Sequence, residues 1–547
     1  MRLAERLMGV QPGLESHRQR PPYMDKIALL DGDGLPIEFE LESHPYALHF
    51  DTRLGRFRLA FRDHDTLAIG LPSNVAAGVG LTVSNLFPAG GAGNGDLINR
   101  RRALLHSSQR VRIEKHREEQ GGVRHTLVVE GGEGVAIELA ILRGDRTAEQ
   151  VQPFPKTYAS ARARWRAWYE KVPPVSETLK APYAYAWWVV ANNMVAPLGR
   201  LEFEAMMPSK AQYYGVWNWD ACFHALALRH RDPSLARDQL RVLLGEQNDE
   251  GMCPDVIHDE GIVDHLDHPI ASAVTKPPVI AWAALKIHAV DPNPQFLREI
   301  YPDLKRLNSW WFTQRASDLQ GMAHYSHPYS SGLDDSPLWD HGFPVVAPDL
   351  NTYLAIQMES LSAIAQLLGL ANEAKSWRDG NHQLVRKMLD HLFDSSSGFF
   401  WPFHAGQPIC ERTPFNLYPL WTARLPEAIA DLLVTRLSDP ELFWGPYPLS
   451  TVARNAVSYS PMTMWRGPVW INLNYIFIEA LRRVDRADLA DELRRRTIEL
   501  VAHNPGIYEY YNPETGRPPD TAAPIFGWTA ALFIDLCIQQ TRSENES

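Results

Sequence analysis

PDLNTYLAIQMESLSAIAQLLG, residues 348–369, places Leu350, Leu354, Met358, Leu361, Ala365 and Leu368 on one face of an α-helix. Asp349, directly after Pro348, offers a cap for its start, and Gly369 stands near its end. The same period recurs at 180–194, 219–231, 233–247, 277–290, 294–316, 371–394, 425–437, 468–484, 486–502 and 525–541, with a weaker instance near 415. About twelve helices therefore come in pairs, joined by long loops rich in Trp, Asp, Gly and Pro. An (α/α)6 toroid and an α-solenoid both give such a pattern, and the lack of a fixed-length repeat counts against the solenoid.

The first 150 residues or so read differently. Short apolar or alternating stretches at 37–41, 46–50, 111–114, 126–130 and 135–141 are bounded by turn signals such as Asp31-Gly-Asp-Gly34, Gly121-Gly122 and Gly131-Gly132. With no helical period between them, they predict an antiparallel β-sandwich. The glycine-rich Pro88–Gly95 lacks the spacing of a phosphate loop and reads as a flexible connection. A helix over 159–171 carries Trp165, Trp168 and Tyr169 on one face and stops at Pro173-Pro174, as a linker would. The expected organisation is a β-sandwich domain over 1–152, a linker helix over 153–177 and an (α/α)6 catalytic domain over 178–547.

Composition narrows the class. The 547 residues carry 54 Lys plus Arg against 65 Asp plus Glu, a net charge of −11 with no general basic footprint for nucleic acid. The short run Arg100-Arg101-Arg102 reads as a solvated face. Four cysteines, Cys222, Cys253, Cys410 and Cys537, form no CxxC pair and fit buried free thiols in a reducing compartment. No apolar run is long enough to span a membrane, and the N-terminal MRLAERLMGVQPG lacks the apolar core of a secretory signal, so a soluble, cytoplasmic protein is expected. The 17 Trp residues are the unusual feature; such rings serve as core or as apolar floors on which sugars stack.

Five loops concentrate polar and aromatic residues. In Tyr213-Tyr-Gly-Val-Trp-Asn-Trp-Asp220, Asp220 reads either as a helix cap or as a carboxylate gripping sugar hydroxyls beside Trp219. The His- and Asp-rich stretch from Pro254 to Pro278 has no recognised metal-ligand spacing, so no catalytic metal is expected. In Tyr329-Ser-Ser-Gly-Leu-Asp-Asp-Ser-Pro337, the pair Asp334-Asp335 fits a solvated turn, a magnesium–diphosphate motif or a general acid with a neighbour. Trp465-Arg-Gly-Pro-Val-Trp-Ile-Asn-Leu-Asn474 groups a cation, two indoles and two amides, with Arg466 suited to carbonyls or to a carboxylate. Glu509, among the rings of Tyr508-Glu-Tyr-Tyr-Asn-Pro-Glu-Thr-Gly516, is a carboxyl whose pKa burial would raise.

Taken in order, Trp-Asn-Trp-Asp220, Thr275-Lys-Pro-Pro278, Ser331-Gly-Leu-Asp-Asp335, Trp465-Arg-Gly-Pro-Val-Trp470, Glu509-Tyr-Tyr-Asn-Pro-Glu-Thr-Gly516 and Phe526-Gly-Trp-Thr-Ala530 resemble glycoside hydrolase family 63, over roughly residues 205–541. That group includes processing and bacterial α-glucosidases and the mannosylglycerate and glucosylglycerate hydrolases, with trehalases more distant. The resemblance implies an inverting exo-α-glycosidase acting on a small α-glucoside or α-mannoside without a cofactor. By the same resemblance Asp334 is the general acid and Glu509 the general base. Such a pair stands about 6.5–9.5 Å apart across the sugar so that a water fits between. Tyr214, Trp217, Trp219, Asp220, Lys276, Gly332, Asp335, Trp465, Arg466, Trp470, Tyr511 and Trp528 are implied as the sugar pocket. One departure concerns Ser330-Ser331, where several relatives carry Glu before the Ser-Gly-x-Asp core, so an aglycone preference does not carry over. The expected partner is a small carbohydrate, with neither nucleic acid nor membrane. A trehalase, another toroid glycosidase or a non-catalytic sugar-binding protein are the alternatives.

Overall fold

In a computed structural model the described residues are 3–4, 22–83, 90–92, 95–97, 103–109, 111–117, 123–129, 134–141 and 150–546. They divide into two compact units, Met1–Lys171 and Val172–Ser547. The run Arg100–Arg102 and, apart from Leu3 and Ala4, the N-terminal segment MRLAERLMGVQPG lie outside the described residues.

The first unit is β-rich. It holds a five-stranded and an eight-stranded sheet, and neighbouring strands such as Ala77–Val83 with Val123–Val129 and Thr66–Gly70 with Ala136–Ile141 run antiparallel. One core draws on both: Leu29, Val79, Leu81 and Leu127 come from the first sheet, and Phe57, Leu67, Ile69 and Ile137 from the second. Alternation along each strand sends every second residue into that core, which is why a period of two was readable. Half of the glycine-rich 88–95 stretch, residues 88, 89, 93 and 94, lies outside the described residues; the rest departs from the expectation of a flexible connection, since Gly90–Ala92 pairs antiparallel with Gly95–Leu97 at the edge of the larger sheet. The helix α1, Phe154–Tyr169, belongs to this unit, because Phe154 and Ala161 are buried against Ala47, Ala60, Ala68 and Ala136.

The second unit is mainly helical. Its helices are α2 (Lys180–Asn193), α3 (Asn218–Arg231), α4 (Pro233–Gly245), α5 (Ile280–His288), α6 (Pro294–Gln314), α7 (Pro348–Leu367), α8 (Ala371–His391), α9 (Glu427–Leu437), α10 (Ile471–Arg483), α11 (Ala487–Ala502) and α12 (Gly527–Glu546). A nine-residue 3-10 helix, Pro414–Thr422, precedes α9. In succession α3 packs on α5, α5 on α7, α7 on the 3-10 helix, that on α10, α10 on α12, and α12 back on α3. The partners α4, α6, α8, α9, α11 and α2 each pack against a member of that succession. The stretch near 415 gave a weak helical signal because Pro419 inside it removes a backbone donor, which a 3-10 turn tolerates better than an α-helix. Among the described residues no helix is long and apolar enough to cross a membrane.

Two capping expectations change. The helix α7 starts at Pro348 after Ala347, so Asp349 sits in its first turn and accepts a hydrogen bond from the Tyr325 hydroxyl at 2.9 Å. Helix α7 is also buried nearly all round, Asn351, Thr352 and Gln357 included, since it is packed by α5, α6, α8 and the 3-10 helix. Likewise α3 begins at Asn218, which removes Asp220 from the cap position.

Three helices of the succession meet at one buried carboxylate. Asp535 of α12 receives Arg229 Nη2 at 2.7 Å, lies 2.5 Å from His230 Nε2, and accepts from the Tyr475 hydroxyl at 2.7 Å. Burial opposes its charge, yet Arg229 and His230 hold its pKa far below the usual carboxylate range. Removing it strands the Arg229 guanidinium in the interior. Asp535→Ala is therefore expected to lower the stability of the protein by about 3–5 kcal/mol, read by urea unfolding; a loss under about 1 kcal/mol would show that this network does not tie the helices together.

Candidate active site

The turn carrying Asp334 is fixed from both sides. After the 3-10 turn Pro328–Ser331, Gly332 adopts φ +72°. The Ser331 hydroxyl accepts from Leu333 N–H at 2.9 Å, and Trp339 Nε1 donates to the Leu333 carbonyl at 2.6 Å. Asp334 follows, and its Oδ1 is shut from solvent with no hydrogen-bond partner. Burial pushes its pKa up to about 6; the charge of Lys276 opposes this, and Asp255 and Asp335 add to it. Asp335 turns elsewhere. It accepts the Trp465 N–H at 2.8 Å and so couples this turn to the 465–470 loop.

Glu509 arrives from the opposite end of the sequence. Its N–H bonds the Ala523 carbonyl, and Tyr511 two residues on exchanges both backbone bonds with Val469. The carboxyl is 2% exposed and each oxygen accepts one bond: Oε1 from the Tyr213 hydroxyl at 2.7 Å and Oε2 from Ala523 N–H at 3.1 Å. Burial lifts its pKa to about 7 against those two donors, with the negative charge of Asp334 adding to the rise.

Lys276 is the cation of the site. It is buried, pairs with Asp255 Oδ1 at 2.8 Å and donates to the Tyr329 carbonyl at 2.5 Å. Burial works against its charge, but Asp255, Asp334 and Asp220 together hold its pKa above the ordinary lysine value. Asp220 is buried as well, which pushes its carboxyl well up, with Lys276 opposing.

Indole rings form the walls. Trp465 and Trp470 stack face to face, centroids 3.8 Å apart and planes within 6°. Trp528 meets Trp470 and Trp219 edge-on, both at 5.4 Å. Gly332 is required beside them, since a Cβ there would lie 2.1 Å from Trp219 Cζ2.

One cavity collects most of these groups: Asp334 and Glu509 line it with Trp217, Trp219, Asp220, Lys276, Gly332, Trp465, Trp470 and Trp528. Four residues implied for the pocket do not reach its lining. Asp335 serves the Trp465 amide, and Arg466 forms a two-pronged ion pair with Asp340 at 2.6 and 2.9 Å. The Tyr511 hydroxyl accepts from Tyr508 N–H, and the Tyr214 carbonyl accepts from His258 Nδ1 at 2.9 Å. The lining adds Pro208, Tyr213, Met464 and Phe526. Of two adjacent tyrosines, the sequence offers nothing to choose Tyr213 over Tyr214; the turn in which Tyr213 N–H bonds the Ser209 carbonyl at 2.7 Å makes the choice.

A family profile described as "Mannosylglycerate hydrolase MGH1-like glycoside hydrolase domain" matches residues 213–529, which hold every lining residue except Pro208. The chain belongs to this family. It is a glycoside hydrolase of the family 63 type. The mannosylglycerate hydrolase of Thermus thermophilus is 26% identical over 408 residues, 60% of this chain and 95% of the relative. The glucosylglycerate hydrolase of Mycolicibacterium hassiacum is 25% identical over 414 residues, 59% of this chain and 92% of the relative. Among solved structures, a family 63 mannosylglycerate hydrolase of Thermus thermophilus in complex with glucose matches with a TM-score of 0.56 at 25% identity, over 64% of this chain and 99% of that one.

For this MGH1-like domain, Gly332→Ala forces Trp219 aside and puts a side chain at positive φ, an expected loss of about 1–3 kcal/mol in stability. Calorimetric titration with glucose and mannose should show at least a ten-fold weaker complex than for the wild type; unchanged affinity would mean that Trp219 does not wall the place where these hexoses bind.

Proposed function

We propose that this protein is an inverting, exo-acting α-glycosidase that hydrolyses a small α-mannoside or α-glucoside, of the kind named for its relatives: a hexose joined to glycerate. The helical succession is, in this reading, the inner ring of an (α/α)6 toroid, and the two sheets of the first unit form an antiparallel sandwich. The four unbonded thiols, three of them buried, support a cytoplasmic setting.

One observation carries the reading. Two carboxyl groups line a single cavity in opposite hydrogen-bond environments. Both oxygens of Glu509 accept, which favours the carboxylate, whereas Asp334 Oδ1 is dry and unbonded, which favours the acid. Asp334 then protonates the departing glycosidic oxygen as its bond to the anomeric carbon breaks. Glu509 takes a proton from the water that attacks the same carbon from the other face, giving the inverted, β-configured sugar. The stacked Trp465 and Trp470 supply an apolar floor, and Asp220 and Lys276 are placed to bind hydroxyls. Arg466 and Asp335 act behind the walls by fixing the loops that carry them.

The two pKa values have a consequence. In the free protein Glu509, at about 7, lies above Asp334, at about 6. The higher value places the single proton on Glu509 in the free protein, whereas the working pair is protonated Asp334 with ionised Glu509. A glycosidic oxygen accepting a hydrogen bond from Asp334 favours its protonated form and restores the working order.

Proton NMR of a fresh reaction should show the β-anomer first, and an α-anomer first would overturn the mechanism. Asp334→Asn and Glu509→Gln should each lower kcat by about 10²–10⁴-fold. The profile of kcat/KM against pH should be bell-shaped with its maximum between pH 6 and 7, because below that window both carboxyls are protonated and no base remains, and above it both are ionised and no acid remains. Tyr213→Phe removes a donor to the Glu509 carboxylate and so raises its pKa further. The optimum should move to higher pH and the peak should fall; a profile at the wild-type position would show that Tyr213 does not tune the base.

A further inference from the structure

Away from the cavity, the first unit gathers three metal-ligating side chains on one face of a β-hairpin. In the antiparallel pair of strands Glu40–His44 and Ala47–Thr52, Glu42 lies directly opposite His49. His44, two residues along from Glu42, projects on the same side. The donor atoms converge: His44 Nε2 is 3.2 Å from His49 Nδ1, Glu42 Oε2 is 3.4 Å from His49 Nδ1, and Glu42 Oε1 is 3.3 Å from His44 Nε2.

Without a metal the cluster is held by the Glu42 carboxylate, which faces His44, His49 and also Arg56 Nη1, at 3.4 Å. His49 Nδ1 has a single proton or a single lone pair, yet it faces His44 Nε2, Glu42 Oε2 and also Arg56 Nη1, at 3.3 Å. As a donor it satisfies Glu42 and turns its proton towards Arg56, which then has Glu42 for a partner; as an acceptor it satisfies Arg56 but sets its lone pair against the carboxylate. A cation between the two imidazole nitrogens and the carboxylate meets a ligand atom of each residue. Nitrogen and oxygen ligands about 2.0–2.1 Å from a tetrahedral zinc ion lie about 3.3–3.4 Å from one another, close to the spacing of the two nitrogens and to the distance at which each carboxylate oxygen meets one imidazole. The far side of the buried ring is held too. His49 Nε2 is 3.2 Å from the Tyr158 hydroxyl of α1, the outer-shell contact that orients a ligating imidazole. Arg56 is the competing cation: its Nη1 pairs with Glu42 Oε2 at 3.4 Å while Nε and Nη2 hold Asp51, both at 2.7 Å, so the planar guanidinium has to tilt as a unit to admit an ion. The Glu42 side chain is 51% exposed, which leaves an ion a path from solvent.

We propose that Glu42, His44 and His49 form a binding site for one divalent transition-metal ion of the zinc class, with three protein ligands and a fourth position open to water. Two imidazoles and a carboxylate are a donor set suited to zinc, copper(II) or nickel(II) rather than to calcium or magnesium. Metal held there clamps the two strands to each other and, through Tyr158, to α1.

The test uses the untagged full chain, cleared of metal with a chelator and titrated calorimetrically with zinc chloride in a non-coordinating buffer. One equivalent should bind per chain, and cobalt(II) in its place should give the visible absorption of a tetrahedral ion. His44→Ala and Glu42→Gln, at side chains that are partly or largely exposed, should each weaken zinc binding at least ten-fold and remove the cobalt band, while glycoside hydrolysis stays at the wild-type rate. Absence of zinc uptake by the wild-type chain, or uptake equal in stoichiometry and affinity in both variants, would overturn the assignment.

Discussion

A single buried ammonium group balances the charge of the cavity. Three buried or partly buried carboxyls, Asp220, Asp255 and Asp334, act on Lys276, and of these only Asp255 pairs with it closely. A low-dielectric pocket lined by five indoles disfavours every charge placed in it, so the carboxyls without a direct partner are driven towards neutrality. Lys276 limits that drift at Asp334 and Asp220. The outcome is a cavity whose two carboxyls, Asp334 and Glu509, are pushed up towards neutral pH by burial, to about 6 and about 7.

The same burial that shifts these groups also builds the walls. Trp219, Trp465, Trp470 and Trp528 come from three segments of the chain and are each at most 3% exposed. Their edge and face contacts join the start of α3, the loop before α10 and the start of α12. Backbone bridges finish the frame: Val469 pairs with Ser450 and with Tyr511, and Tyr508 pairs with Pro524. Tyr511 therefore acts as a strut that holds Glu509 in register and has no place in the lining. A protein that packs its site this tightly has little freedom at its small residues, and Gly332 is the clearest case.

Much of this was legible in the sequence, because some signals are local. The 3.6-residue period marked the helices, α7 foremost, and turn residues marked the strands of the first unit; both reflect burial of one face of a regular element. The cavity's acidic and aromatic members were legible as motifs, since each sits in a short loop with its own recognisable order. Two kinds of error remained. Asp349 looked like a helix cap and lies inside the first turn of its helix, and of the two readings open for Asp220 the cap gives way to a place in the cavity lining. The glycine-rich 88–95 stretch looked flexible, and part of it pairs as strand at a sheet edge.

The sequence by itself determined the helical or strand class of most segments and offered the carboxyls, the lysine and most of the rings as candidates. Tertiary structure decided which of them meet: that Tyr213 rather than Tyr214 reaches Glu509, that Arg466 is engaged by Asp340, and that Asp335 supports Trp465 while Asp334 faces the cavity. It also decided that the imidazoles of His44 and His49 share a face with Glu42. The physical reason is that periodicity and turn chemistry are properties of a few neighbouring residues, whereas desolvation and charge pairing depend on groups hundreds of positions apart. Those groups become neighbours only when the helices have packed.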